Sequence, residues 1–194
     1  MTSPAEREFL LRLAREAIAA HVGQSGQSAI ESSIRNPQSP ILARPAGAFV
    51  TLHKRGELRG CIGHIEPTEP LGQVVPRCAV AACSRDPRFP PIAPAELEQI
   101  HIEISLLGPL EPIAGPRDIE IGRHGLVVEC GWQRGLLLPQ VATEWQWDAD
   151  AFLAHTCHKA GLPRDAWRRG AGLWRFEAEV FGEVGQVGQV GQVG

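Results

Sequence analysis

The stretch QIHIEISLL, Gln99 to Leu107, alternates without a break: Ile100, Ile102, Ile104 and Leu106 fall on one side, His101, Glu103, Ser105 and Leu107 on the other. A two-residue period held over eight residues predicts a β-strand with one face on a core. Upstream, Ala48 to His53 and Leu58 to Ile62 are extended segments on either side of a Lys54-Arg55-Gly56-Glu57 turn, which reads as a β-hairpin. Ser3, Pro4 and Glu6 form a capping box that starts a helix over Pro4 to His21, with Phe9, Leu10, Leu13, Ala17 and Ile18 on one face and Gly23 as its stop. Residues 23–47 read as a long surface connection with one short helical turn around Ala29 to Ile34. Thr68 is placed to cap a second helix that runs to about Cys83 and kinks at Pro76. The proline-rich run from Asp86 to Pro94 must be irregular, with a short helix over Ala95 to Glu98.

Downstream of the strand, Ile119 to Ile121, Leu126 to Cys130 and Leu136 to Leu138 read as two linked hairpins. Asp148 caps a helix over Ala149 to Ala160, Gly161 ends it, and Trp174 to Val180 alternates as a last strand. Hairpins mixed with helices, in no regular strand–helix alternation, predict an α+β fold with a mostly antiparallel sheet and helices packed on it. One domain over residues 1–182 precedes a tail over 183–194, whose Val-Gly-Gln repeats can bury little apolar area and read as flexible.

The chain has 194 residues, 43% apolar and 21% charged, with a formal charge of −3. These are ordinary globular values, and they exclude disordered and collagen-like classes. No apolar run approaches the roughly 20 residues of a membrane span, and the N-terminus has no signal-peptide core, so a cytoplasmic protein without a membrane partner is expected. Five cysteines, an odd number in a chain with a full hydrophobic complement, read as reduced thiols.

The densest polar and glycine-rich run is LRGCIGH, Leu58 to His64. Gly60 and Gly63 flanking Cys61 permit close approach of a ligand and leave the thiol accessible, and Arg59 beside it favours the thiolate. The competing reading makes the glycines room for a bend and Cys61 a small apolar filler. A Cys-His pair would join Cys61 to His124 or His64, with Glu103 or Glu144 behind the imidazole. His155, Cys157 and His158 lack further ligands for a tetrahedral zinc, and Cys78 and Cys83 stand about 140° apart on their helix, so no metal is expected. Neither a Walker loop, GxGxxG nor GxSxG is present, and no cofactor is indicated. Arg164, Arg168, Arg169 and Arg175 with Trp167 and Trp174 are the nearest approach to a nucleic-acid stripe, and the acidic balance argues against that partner.

LRGCIG at Leu58 to Gly63 is followed by DPRFPP at Asp86 to Pro91, HGL at His124 to Leu126, GLLLPQVATE at Gly135 to Glu144 and CHKAGL at Cys157 to Leu162. In this order the motifs resemble the AMMECR-one domain family, whose bacterial and archaeal members are called AmmeMemoRadiSam system protein A. The resemblance spans about Ala5 to Val180. It implies an α+β domain in two lobes with LRGCIG lining a cleft between them, and association with a Memo-like protein and a radical S-adenosylmethionine enzyme. It carries no settled reaction. The family's signature falls here on Arg59, Gly60, Cys61, Ile62 and Gly63, its second motif on Asp86, Arg88 and Phe89, and its third on His124 and Gly125. The combined reading is a thiol-dependent enzyme acting on a small anionic substrate: Cys61 as nucleophile or acid-base group, His124 as proton carrier, Glu103 behind it, and Arg59, Gly60, Gly63, Asp86 and Arg88 around the ligand. The alternative is a non-catalytic binding or adaptor module.

Overall fold

The computed structural model describes residues 2–23 and 39–183. The helical turn expected at Ala29 to Ile34 and the repeats from Val184 lie outside the described residues. The fold is α+β, and every strand pairing with a stated register is antiparallel. It divides into two compact units. The first runs to Leu106 and takes in the chain again from Glu179; the second is Leu107–Ala178.

In the first unit helix α1, Pro4–Val22, starts at the expected box: Glu6 N–H donates to Ser3 Oγ at 3.3 Å and Ser3 N–H to Glu6 Oε2 at 2.7 Å. Strands β1, Ala48–Lys54, and β2, Glu57–His64, are joined by a two-residue turn with Arg55 and Gly56 both at positive φ, the geometry that matches strand twist in a tight hairpin. The register shifts between Leu52 and His53, opposite Gly60 and Leu58, so Arg59 is the extra residue of a bulge. β1 also pairs with β3, Ile100–Leu107. Val50, Leu52, Ile102 and Ile104 are fully buried in one core with Leu10, Ala14, Ala17 and Ile18 of α1 and with Leu71, Val74, Val75 and Ala79 of a second helix, α2, Leu71–Ser84.

That second helix begins two residues later than a cap at Thr68 predicts. Pro70 holds the extended N-cap position with φ −63° and ψ 142°, and a residue before proline is driven out of the helical region, so Glu69 cannot start a turn. α2 continues through buried Pro76 as a single element. Residues Pro94–Gln99 form a 3₁₀ turn.

The second unit carries short strand β4, Glu111–Pro112, then β5, His124–Cys130, and β6, Gln133–Leu137, as one hairpin turning at Gly131 with φ +61°. Ile119 to Ile121 adds no strand, which corrects the expectation of two hairpins. Gly122, at φ +86°, turns the chain directly into β5, and the backbone of Glu120 is taken up by His124. Strand β7, Gly172–Gly182, pairs with β4 and β5 and supplies its last residues to the first unit. Helices α3, Pro139–Glu144, and α4, Ala149–Lys159, follow β6; Asp148 Oδ1 caps α4 by accepting from Ala151 N–H at 2.8 Å. Leu126, Val128, Phe152, Leu153, Cys157 and Leu173 form this unit's core. No helix among the described residues is long and apolar enough to cross a membrane.

Glu183, which composition assigns to the tail, belongs to the fold. Its N–H donates to Ile102 O at 3.0 Å, and its Oε2 accepts the N–H of Ile102 at 2.9 Å, so the side chain substitutes for a strand carbonyl. Arg15 of α1 binds the same carboxylate and the carbonyls of Leu97 and Ile100. Glu183→Ala leaves the buried N–H of Ile102 without an acceptor and is expected to cost about 1–3 kcal/mol in urea unfolding. Arg168→Ala, which removes an exposed pair with Asp150, should change stability by less than about 0.5 kcal/mol.

Candidate functional site

LRGCIG lies on β2, the outermost strand of its sheet. Its two glycines are required by close approach on opposite faces. A Cβ on Gly60 would stand 2.3 Å from the carbonyl oxygen of Ala82 in α2, and one on Gly63 would stand 2.2 Å from the Phe49 ring. Neither has positive φ. Cys61 lies between them on the face away from the helices, level with Thr51 on β1 and, next along the row, Glu103 on β3. Thr51 Oγ donates to Cys61 Sγ at 3.3 Å, and the cysteine is half-buried.

The motif at Asp86 to Pro91 folds back onto this strand. Asp86, 4% exposed, accepts the Cys61 N–H through Oδ2 at 2.8 Å. The same carboxylate takes Arg88 in a fork, Nε on Oδ1 at 2.9 Å and Nη2 on Oδ2 at 2.7 Å, and accepts the Arg88 N–H at 3.1 Å. These bonds, led by the guanidinium's, hold the carboxyl far below the usual carboxylate range in spite of burial. Arg88 remains 52% exposed in its side chain, lies 5.4 Å from the centre of the Phe89 ring, and has no protein partner at Nη1 among the described residues.

Arg59 has the opposite character. Its Nε and Nη2 bind Glu96 and its Nη1 donates to Pro90 O at 2.8 Å, leaving the side chain 13% exposed. Lys54 shares Glu96, whose carboxyl is drawn down to about 2 by the two cations. Arg59 is therefore an internal tie from the bulge to the Pro94–Gln99 turn, and it has no free edge for a ligand.

The thiol departs from expectation. Burial is the largest influence on Cys61 and pushes its pKa up; the Thr51 bond and the Arg88 charge pull it down less, and Asp86 and Glu103 add to the rise. All five cysteines are free, Cys78, Cys83 and Cys157 are buried, and the exposed thiol is Cys130 at the end of β5.

Cys61, Thr51, Glu103, Asp86 and Arg88 thus gather in the first unit, while His124 and Glu144 belong to the second. His64 places Nε2 3.5 Å from Glu69 Oε1, which also binds Arg77. Among the described residues no three His, Cys, Asp or Glu side chains form a metal-sized group. Thr51 and Glu96 are the site residues that motif reading misses. Thr51 is detectable only through strand register, and Glu96 only as the third residue of a turn that ends a proline run.

Two outcomes follow from this geometry. Iodoacetamide at about pH 8 should label Cys130 first, and Cys130→Ser should remove the fast phase, with Cys61 slower than an ordinary thiol of pKa about 8.5. Asp86→Asn should cost about 2–3 kcal/mol near neutral pH. Because the folded carboxyl is depressed, its stabilisation is present above the unfolded pKa of about 3.9 and is lost as pH falls, so the gap between wild type and variant should be constant above about pH 5 and close below about pH 4 in urea titrations.

The AMMECR1 family matches residues 11–181. A protein of Methanothermobacter thermautotrophicus is 45% identical over 187 residues, covering 93% of this chain and 95% of that one. A protein of Thermococcus gammatolerans is 47% identical over 187 residues, covering 91% and 89%. The crystal structure of an uncharacterised protein from Pyrococcus horikoshii matches with a TM-score of 0.81 at 41% identity, covering 91% of each chain. Full-length identity at this level, with the same fold, places the chain in the AMMECR1 family.

Proposed function

We propose that the chain is a binding module that receives an anionic group on Arg88, with the Cys61 thiol as a wall of the site. The observation that supports this is the double use of Asp86, which fixes the Cys61 backbone and the inner edge of the Arg88 guanidinium with one buried carboxylate. A guanidinium held in this way loses little rotamer entropy on binding, and its outer edge keeps the planar donor geometry suited to carboxylate or phosphate. A thiol whose pKa is raised carries little thiolate near neutrality, which removes the main support for a nucleophile. A cytoplasmic setting, and a Memo-like protein and a radical S-adenosylmethionine enzyme as partners, belong to this reading through the family resemblance; an acidic side chain on such a partner is an anion of the kind Arg88 takes.

Phosphate, acetate and citrate, titrated at constant ionic strength and read from the backbone amide resonances of Cys61 and Arg88, test the reading. At least one should bind, Arg88→Gln should weaken it tenfold or more, and Cys61→Ser and Arg168→Gln should leave it within about twofold. Acylation of Cys61 in the native protein by an activated ester, with turnover, would instead establish the thiol enzyme that acts on a small anionic substrate.

A further inference from the structure

His124 is 7% exposed and opens β5 opposite Glu177 of β7. Its ring is fixed by a closed loop of bonds. The N–H of Glu120 donates to Nδ1 at 2.9 Å, while the carbonyl of Glu120 accepts the N–H of His124 at 3.0 Å and of Arg123 at 3.2 Å. A backbone N–H can only donate, so Nδ1 must present its lone pair, and the single proton of the neutral ring lies on Nε2. Nε2 has no protein partner among the described residues and is not fully enclosed, so this one donor of a buried ring is open to solvent.

The charges that face the ring are Arg175 and Arg123, opposed less strongly by Glu120 and Glu177. Both arginines are already engaged: Arg175 with Glu111 and the Asp118 carbonyl, Arg123 with Glu120 and Glu177. Burial first, and then these two cations, hold the imidazole below its ordinary pKa and hence neutral. The proton carrier expected of His124 needs a lone pair facing the reactants. Here the lone pair faces the protein's own backbone, and the outward nitrogen already carries its hydrogen.

We propose that His124 is a fixed hydrogen-bond donor, and that its Nε2–H, in the field of Arg175 and Arg123, receives an oxyanion oxygen, carboxylate or phosphate, from a ligand of the second unit. No base role is left to it in this arrangement, which resembles the use of neutral imidazole as an electrophile in enolising enzymes. The inference goes beyond the reading at Arg88 and does not rest on it, since all its groups lie in the second unit.

Long-range ¹H–¹⁵N correlation spectra of the full chain with labelled histidine test it directly. At about pH 7 His124 should show protonated Nε2 and unprotonated Nδ1. His155, whose Nε2 faces the Arg164 guanidinium at 3.2 Å and must accept from it, should show the opposite tautomer and serves as the internal control. Sodium acetate and sodium phosphate, added against equal ionic strength of chloride, identify which oxyanion is taken: at least one should shift the His124 Nε2–H in a saturable way. His124→Gln, whose amide can still donate, should keep that affinity within about threefold as read by protein-detected titration, and His124→Leu should weaken it tenfold or more. A proton on Nδ1 of His124 in wild type, a shift reproduced by chloride, or no shift with either oxyanion would overturn the proposal. The first of these needs no variant and is decided even where a substitution impairs folding.

Discussion

The bond from the Cys61 N–H to Asp86 is the contact on which the arrangement of the first unit's site depends. An outermost strand presents backbone donors that have no partner strand, and such groups are costly when half-buried and hazardous when open. Asp86 covers one of them with a carboxylate that is itself almost wholly removed from water, a burial tolerated only because the Arg88 guanidinium and two backbone N–H groups share its oxygens. The strand cannot shift without exposing that charge. Gly60 adds the second constraint, since only hydrogen fits between β2 and the Ala82 carbonyl. The two most recognisable stretches of the chain, LRGCIG and DPRFPP, are therefore two halves of one contact.

That contact also explains why an arginine beside a cysteine does not make a thiolate here. A lone guanidinium a few ångströms away would lower a thiol's pKa. Arg88 acts as half of an ion pair whose carboxylate also touches the Cys61 backbone, 2.8 Å from its nitrogen, so the guanidinium's pull on the thiol is partly offset by the Asp86 charge. Desolvation faces no comparable cancellation and becomes the largest influence. Sequence adjacency made Arg59 the obvious activator, yet the bulge at Arg59 directs its side chain to Glu96 and the Pro90 carbonyl.

The parts legible in the sequence were those governed by local periodicity and capping. The alternation of Gln99 to Leu107, the Ser3 and Glu6 box, the Asp148 cap and the Gly161 stop each need only neighbours within a few residues, and each is found where it was read. Misreadings occurred where a distant or steric partner decides. Thr68 is a sound cap in isolation and loses to Pro70; Ile119 to Ile121 is a sound strand fragment and loses to a turn at Gly122; Glu183 looks like tail and pairs with a strand 81 residues away. Of the candidate site, the sequence showed Cys61, Asp86 and Arg88 as motif residues and not how they meet, because burial at Cys61 and the bond at His124 Nδ1 are properties of packing that no spacing encodes.

Arg88 and Arg59 differ in whether a donor is left outward once the fold's own contacts are made, and His124 resembles Arg88 in this. Arg59 engages both edges of its guanidinium, with Glu96 on one and the Pro90 carbonyl on the other. Arg88 and His124 each give one side to the protein, to Asp86 and to the Glu120 N–H, and keep a donor outward. Fixing the inner side removes the conformational freedom that a ligand would otherwise have to restrict, and it settles which atom carries the outward hydrogen. Both groups then offer the same chemistry, donation to an oxygen bearing negative charge, and neither offers a basic lone pair. An acid-base role at either position would require breaking the bond that positions it.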